Sequence, residues 1–355
     1  MGFLLSSDIK EIADSLGEDA FRLSGKRIMI TGGRGFLGRY FTEVLTYLNK
    51  HQFWDAQAEM CEIILLDNFI TAGEQGRDLP STRDVRFIQH DVVKPFYPEK
   101  PVDFILHAAG IASPYYYRQY PLETLEVATT GLKNVLELAR GQKSCKLSFF
   151  SSSEIYGDPD PKHVPTKESY HGHVSCLGAR ACYDESKRLG ETLIRIYHEK
   201  FGVHGNIIRP FNVYGPGMQK TDYRVLPNFG SRVSQGKPLE IYGSGKQTRT
   251  FCYITDAIRG FFQVLLKGSP GEPYNIGTPT PEISMIGLAQ KTQEIVGSHV
   301  KFDTIEYPDS YPGDEPNRRC PDITKAQLQV GYQPTVTLDD GLKRFFSWTA
   351  ENYAE

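Results

Sequence analysis

The sequence predicts an α/β fold with a doubly wound parallel sheet, and three observations carry that prediction. First, short apolar runs recur: Lys26–Thr31 (KRIMIT), Ile63–Asp67 (IILLD), Val85–His90 (VRFIQH), Phe104–Ala108 (FILHA), Leu147–Ser151 (LSFFS) and Gly205–Pro210 (GNIIRP). Runs that are apolar on both faces read as strands covered on both sides. Second, helical patterns such as Arg39–Leu48 and Tyr183–Phe201 separate them, and strands that alternate with helices pair in parallel. Third, the glycine-rich turn TGGRGFLG (31–38) joins the first strand to the first long helix. That junction is where such sheets hold a dinucleotide, so the fold reads as Rossmann-type with a smaller C-terminal α/β lobe for substrate.

Taken in chain order, Ile9, Ile12, Ala13 and Leu16 recur at helical spacing behind Ser6, Ser7 and Asp8. Residues 7–17 therefore read as an amphipathic helix in an N-terminal helical arm, 1–24, that precedes the main fold. Residues 25–210 form the predicted dinucleotide-binding domain, with 50–60 read as an inserted loop. After residue 211 the texture changes, and 212–255 is rich in Gly, Pro and Tyr, as expected where a substrate lobe begins. Within that 211–355 lobe, 256–268 reads as helix and 273–277 (PYNIG) as strand, so the chain crosses back to the first domain at about 250–280.

Bulk properties exclude several function classes. With 355 residues, 39% of them hydrophobic, the chain can bury a large core. A formal net charge of -3 leaves no basic footprint for nucleic acid or an anionic membrane. The six cysteines form no CxxC or His-Cys cluster, which argues for reduced thiols in a cytoplasmic protein and against a disulfide framework or a metal site. The start of the chain lacks a signal-peptide pattern, and no stretch is apolar enough to span a membrane.

Glycines 32, 35 and 38 let a pyrophosphate approach the backbone at a helix N-terminus. At the end of the second strand, Asp67 is placed to accept hydrogen bonds from adenosine ribose hydroxyls, a choice of residue that favours NAD over NADP. Tyr183 and Lys187 stand four apart at the start of a long helix and so share one face. A phenol with its ordinary pKa of about 10 is a poor base at neutral pH, whereas an adjacent ammonium and an oxidised nicotinamide would stabilise its phenolate. The run SSSEIYG (151–157) ends a strand of the same sheet, the edge where active sites of these folds lie.

These motifs, together with HAAG (107–110), RPFNVYGPG (209–217) and YGSGKQTRTF (242–251), resemble those of the extended short-chain dehydrogenase/reductase family acting on nucleotide sugars. The resemblance covers about residues 25–345. It is closest to the branch that decarboxylates UDP-glucuronate, through HDVV (90–93), ASPYYYRQYPLETL (112–125), GHVSCLGARACYDESKR (172–188), DYRVLPNF (222–229) and RCPDITKA (319–326). It implies an NAD site made by Gly32, Gly35, Phe36, Leu37 and Gly38, by Asp67 and Asn68, by Asp91 and Val92, and by Ala108, Ala109 and Gly110. Tyr183 and Lys187 complete it. Ser152 or Ser153 would hydrogen-bond the sugar 4-hydroxyl, Tyr183 would be the base, Lys187 would hold the nicotinamide ribose and acidify Tyr183, and Glu154 would act near C5. Tyr117, Asn212, Tyr242, Arg249 and Arg319 would bind the substrate, the two arginines facing its diphosphate or its carboxylate.

Oxidation of a glucuronyl group at C4 puts a ketone β to the carboxylate, so carbon dioxide can leave as the enolate forms. A 4,6-dehydratase of this family carries an Asp-Glu pair where this chain has Ser153-Glu154, and a 4-epimerase has a small apolar residue in place of Glu154. Those readings, a 4-oxidase, and a non-catalytic NAD-binding regulatory protein are the alternatives to a decarboxylase. The family's usual Asn in the helix before the catalytic strand is Ala128 here, and the loop after Phe69 (ITAGEQGRD) departs from the family pattern. Helices near 122–140 and 183–201 are the expected pairing surfaces of a homodimer.

Overall fold

The computed structural model describes residues 4–72, 83–307 and 316–353, so most of the divergent loop after Phe69 lies outside the described residues. Strands β1 (Arg27–Thr31), β2 (Glu62–Asp67), β3 (Val85–Gln89), β4 (Phe104–His107), β5 (Lys146–Phe150) and β6 (His204–Pro210) each fall within a residue or two of the range read from their apolar runs. With the strand Pro273–Ile276 they form one seven-stranded sheet, in the spatial order 273–276, β6, β5, β4, β1, β2, β3. Every pairing is parallel. Four buried positions in succession on β1, β4 and β5 explain the unbroken apolar runs, because helices cover both faces.

The helices are α1 (Ser6–Leu16), α2 (Phe36–Tyr47), α3 (Pro114–Gln119), α4 (Pro121–Glu126), α5 (Leu132–Arg140), α6 (Ala181–Phe201), α7 (Val225–Ser234) and α8 (Ile254–Lys267), followed by three more that end with Leu338–Asn352. The chain order reverses between β1 and β4, where a crevice opens at the carboxyl edge of the sheet. The glycine turn after β1 and the 151–157 run after β5 both open onto this edge. No helix among the described residues is long and apolar enough to cross a membrane.

Two segments differ from a plain reading of the sequence. The inserted loop expected at 50–60 begins as helix, since α2 runs on into a π-helical turn at Leu48–Phe53. The wider turn keeps Leu48 and Phe53 in the core and buries Asn49, which exchanges two 2.9 Å hydrogen bonds with the Cys61 backbone. The N-terminal helix, for its part, is docked. Ile9, Ile12, Ala13 and Leu16 are buried against α2 and α8, and an Ile or Leu so covered contributes about 1.5–3 kcal/mol. Asp8, fully buried, accepts hydrogen bonds from the Tyr253 hydroxyl at 2.7 Å and the Arg344 guanidinium at 3.1 Å. Glu11 accepts from Arg344 at 2.6 Å and from Thr255 at 2.9 Å.

Candidate active site

Close backbone packing accounts for the glycines. Gly32 has φ 68°, and a Cβ there would lie 2.7 Å from the Ala109 Cα; one at Gly38 would lie 2.2 Å from the Gly32 carbonyl oxygen. The first turn of α2, whose N–H groups have no partner within the helix, therefore comes directly against a cavity of about 680 Å³. Gly32, Gly35, Phe36, Leu37 and Gly38 line one end of it, Ala108 and Gly110 its side, and Ser152, Glu154, Tyr183 and Lys187 its far end. Ala109 lies just behind, its N–H donating to the Thr31 hydroxyl at 3.2 Å.

Asp67 is buried at the end of β2 and accepts main-chain N–H bonds from Arg34 (2.8 Å) and Phe69 (2.7 Å). Burial nevertheless pushes its carboxyl above the ordinary range. Asn68 turns back to accept the Ile70 N–H at 3.1 Å, Asp91 accepts that of Val93 at 3.1 Å, and the Val92 carbonyl accepts from Asn134 at 3.0 Å. Asp67, Asn68, Asp91 and Val92 do not line the cavity, and Val92 instead lines a small separate pocket with Met29, Leu66 and Phe96.

At the catalytic end, α6 carries Tyr183 and Lys187 on its buried face. The Lys187 ammonium donates to the Phe150 carbonyl at 2.7 Å and lies 5.6 Å from the Tyr183 ring centroid. Desolvation holds its pKa down, at about 8. The expectation that Lys187 acidifies Tyr183 is not met by the protein alone. Burial pushes the phenol up to about 12, while a hydrogen bond with Ser152 and the Arg224 charge pull the other way. His107, at the end of β4, lies 2.8 Å from the Thr31 hydroxyl, and burial and Lys187 lower its pKa to about 3.

Ser152 caps the short turn Ser153–Tyr156 by accepting the Glu154 N–H at 3.2 Å. Glu154 and the buried Ser153 both line the main cavity with Ser152. Arg319 grips Glu154 with two parallel bonds of 2.6 and 2.7 Å, and Arg180 also donates to the same carboxylate. Arg319, expected to face a substrate anion, thus holds an acidic side chain that occupies an anion's place. A second cavity of about 160 Å³ adjoins here, lined by Tyr117, Asn212, Tyr242, Arg249 and Arg319 and sharing Glu154, Tyr183 and Asn212 with the first. All five residues assigned to the substrate therefore meet in one place. Tyr117 stacks on Tyr183 with centroids 5.6 Å apart. Asn212 holds a left-handed φ of 41° where the two cavities meet, its side-chain amide donating to the Thr250 carbonyl at 2.8 Å. Arg249 donates to the Thr248 carbonyl at 2.8 Å.

Sequence reasoning missed Arg180, Asp184 and Arg224. The first two carry a legible signal, since Arg180 at the N-cap of α6 and Asp184 in its first turn are spaced i, i+4, and their charges meet at 4.0 Å. Arg224 has none beyond its motif; it pairs with Asp222 at the junction of both cavities.

A parallel sheet with a glycine turn at its switch point, beside a Tyr-Lys helix, defines a dinucleotide-dependent oxidoreductive site. In keeping with this, residues 28–277 match the model of the NAD dependent epimerase/dehydratase family, and the chain belongs to that family: it is an NAD-dependent enzyme. It is 39% identical over 320 residues to UDP-glucuronic acid decarboxylase 1 of Xenopus tropicalis, covering 90% of this chain and 71% of that protein. It is 37% identical over 328 residues to UDP-glucuronic acid decarboxylase 6 of Arabidopsis thaliana, covering 92% and 90%. Among solved structures, a UDP-glucuronic acid 4-epimerase from Bacillus cereus, in complex with UDP-glucuronic acid and NAD, superposes with a TM-score of 0.75 at 26% identity, covering 92% of this chain and all of that one.

Proposed function

We propose that the protein decarboxylates UDP-glucuronate to UDP-xylose, with NAD regenerated in each cycle. The observation that carries this reading is the clamp of Arg319 and Arg180 on Glu154, beside the Tyr183 hydroxyl. Two guanidinium groups beside Tyr183 suit a uronic acid bound with its C4 at that tyrosine, because bidentate geometry fits a carboxylate. Bound NAD supplies a hydride acceptor and afterwards a hydride donor. Tyr183, supported by Ser152, takes the proton of the sugar 4-hydroxyl and returns it at the end. Lys187 would hold the nicotinamide ribose. Glu154, still beside its arginines, stands near C5, where the enolate left by carbon dioxide takes up a proton that comes from solvent. Ser153, buried where a dehydratase would place an Asp, offers no acid to a leaving 6-hydroxyl.

In this reading residues 25–210, completed by the returning segment at about 250–280, hold NAD, and 211–355 chiefly hold the nucleotide sugar. The protein is a cytoplasmic homodimer. Exposed Leu122 and Leu125 on α4, and Leu189 and Ile196 on α6, support that pairing surface, and sedimentation as a monomer at micromolar concentration would contradict it. The deciding experiment incubates the purified protein with NAD and UDP-glucuronate and follows carbon dioxide and UDP-pentose. A 4-keto or epimerised product that keeps all its carbon would overturn the reading.

A further inference from the structure

One acid beside the site has no part in the decarboxylation chemistry. Asp184 follows Tyr183 on α6, is only 6% exposed, and its Oδ1 has no hydrogen-bond partner among the described residues. Its nearest countercharge is the Arg180 guanidinium at 4.0 Å. The charges that act on it are Glu154 from the turn after β5, Arg180 at the N-cap of its own helix, Arg319 from the Arg318–Arg319 strand, and Glu185 beside it on α6. Glu154, Asp184, Arg180 and Arg319 form a group that is neutral when all four are ionised. Asp184 itself does not line either cavity.

We infer that Asp184 is a positioning residue that takes up a proton when the substrate's carboxylate enters, so that the two arginines can hold a second anion without a surplus of buried negative charge. The inference rests on the decarboxylase reading and deepens it. Adding one carboxylate to a neutral, nearly dry group leaves it at one negative charge, which a low-dielectric site resists strongly. Either acid could absorb the proton, and hydrogen bonding decides which. Protonating Glu154 would weaken three charge-assisted bonds, whereas protonating Asp184 sacrifices one ion pair of 4.0 Å and no hydrogen bond. Burial and the Glu154 charge already hold the Asp184 carboxyl well above the ordinary carboxylate range, so a further anion nearby moves it across neutrality. The proton comes from solvent and goes onto the Asp184 carboxylate, and no other bond changes.

The test uses the NAD-loaded Tyr183→Phe protein, which binds without turnover. UDP-glucuronate, with UDP-glucose as the ligand that lacks a carboxylate, is titrated by calorimetry at about pH 8 in two buffers of different ionisation enthalpy. Uptake close to one proton is expected with UDP-glucuronate and none with UDP-glucose, and the Kd for UDP-glucuronate should weaken about tenfold per pH unit above neutrality. Adding Asp184→Asn should abolish the uptake and flatten that pH dependence. Equal proton counts for the two ligands overturn the inference without any further variant, as does uptake that survives Asp184→Asn. If wild-type protein fails to decarboxylate UDP-glucuronate, the functional reading falls first, a result that turnover alone reveals.

Discussion

Gly190→Ala tests whether the catalytic helix is seated by backbone contact with the sheet. Gly190 sits on α6, seven residues beyond Tyr183, and a Cβ built there would lie 2.5 Å from Cζ of Phe149 and 3.1 Å from the Ala128 carbonyl oxygen. Neither neighbour can yield cheaply. The Phe149 ring is fully buried, stacks on His107 at 6.0 Å and carries the Lys187 ammonium 5.1 Å from its centroid, and the other contact is backbone. Alanine in a helix gains about 1 kcal/mol over glycine, whereas an extra carbon in a tight core costs about 1–3 kcal/mol. The overpacking wins, so stability should fall by about 1 kcal/mol, measured by denaturant unfolding. The larger effect is on rate, because α6 can relieve the clash only by lifting from β5 and carrying Tyr183 and Lys187 with it. A displacement of roughly 1 Å at reacting groups costs up to about 100-fold. Single-turnover kinetics with UDP-glucuronate should show that loss in the chemical step. A variant more stable than wild type and undiminished in rate would refute the packing argument.

Tyr183→Phe removes the base while keeping the ring stacked on Tyr117, so turnover should fall by about 10²–10⁴-fold with NAD binding intact; cofactor titration and product assay together check this. Arg319→Ala leaves Glu154 with Arg180 as its remaining arginine, and breaking such a buried pair costs about 3–5 kcal/mol, visible as a lowered denaturant midpoint and weaker UDP-glucuronate binding. Asp8 makes a pH prediction of less obvious sign. Burial raises its pKa from 3.8 to about 6, against the Tyr253 hydrogen bond and the Arg344 charge. The folded state therefore binds the proton more tightly than the unfolded chain does. The associated stability is fully present below about pH 4 and is lost as pH rises through about 6, a span worth about 3 kcal/mol. Relative to wild type, Asp8→Asn should flatten unfolding free energy between about pH 4 and 6, and identical pH profiles would dismiss the proposed linkage.

What the sequence disclosed and what it hid divide by range. Strands β1 to β6 were legible because burial on both faces leaves an apolar run of the right length, and Tyr183 with Lys187 because one helical turn fixes their relation whatever surrounds them. The partners of charged groups were not legible. Glu154 meets Arg319 across 165 positions of sequence, and Asp8 meets Tyr253 across 245 and Arg344 across 336. No local period encodes such meetings. The π-helical turn at Leu48–Phe53 escaped for a related reason, since the polar stretch that looks like loop is held helical by Asn49 reaching across to Cys61. The raised pKa of Tyr183 is also a tertiary property. Lys187 is at the predicted spacing, yet its ammonium is engaged by the Phe150 carbonyl.

The arrangement of charge around Glu154 also explains why one scaffold can serve several reactions on nucleotide sugars. In the proposed mechanism Tyr183, Lys187 and the glycine turn serve only the exchange of a proton and a hydride between C4 and NAD, a step common to epimerisation, dehydration and decarboxylation alike. The fate of the 4-ketone then depends on the group presented to C5 and C6. An acid aimed at C6 would expel a hydroxyl; Ser153 removes that option. A small apolar residue in place of Glu154 would let the ketone turn and be reduced from its other face. Here Glu154 lies between Arg180 and Arg319, so the site offers two guanidiniums to an anion and a carboxyl to the carbon that the anion leaves. Loss of carbon dioxide removes the second anion that the arginines hold beside Glu154. The resting clamp and the charge balance that Asp184 maintains are then two states of one electrostatic exchange, with decarboxylation resetting it in each cycle.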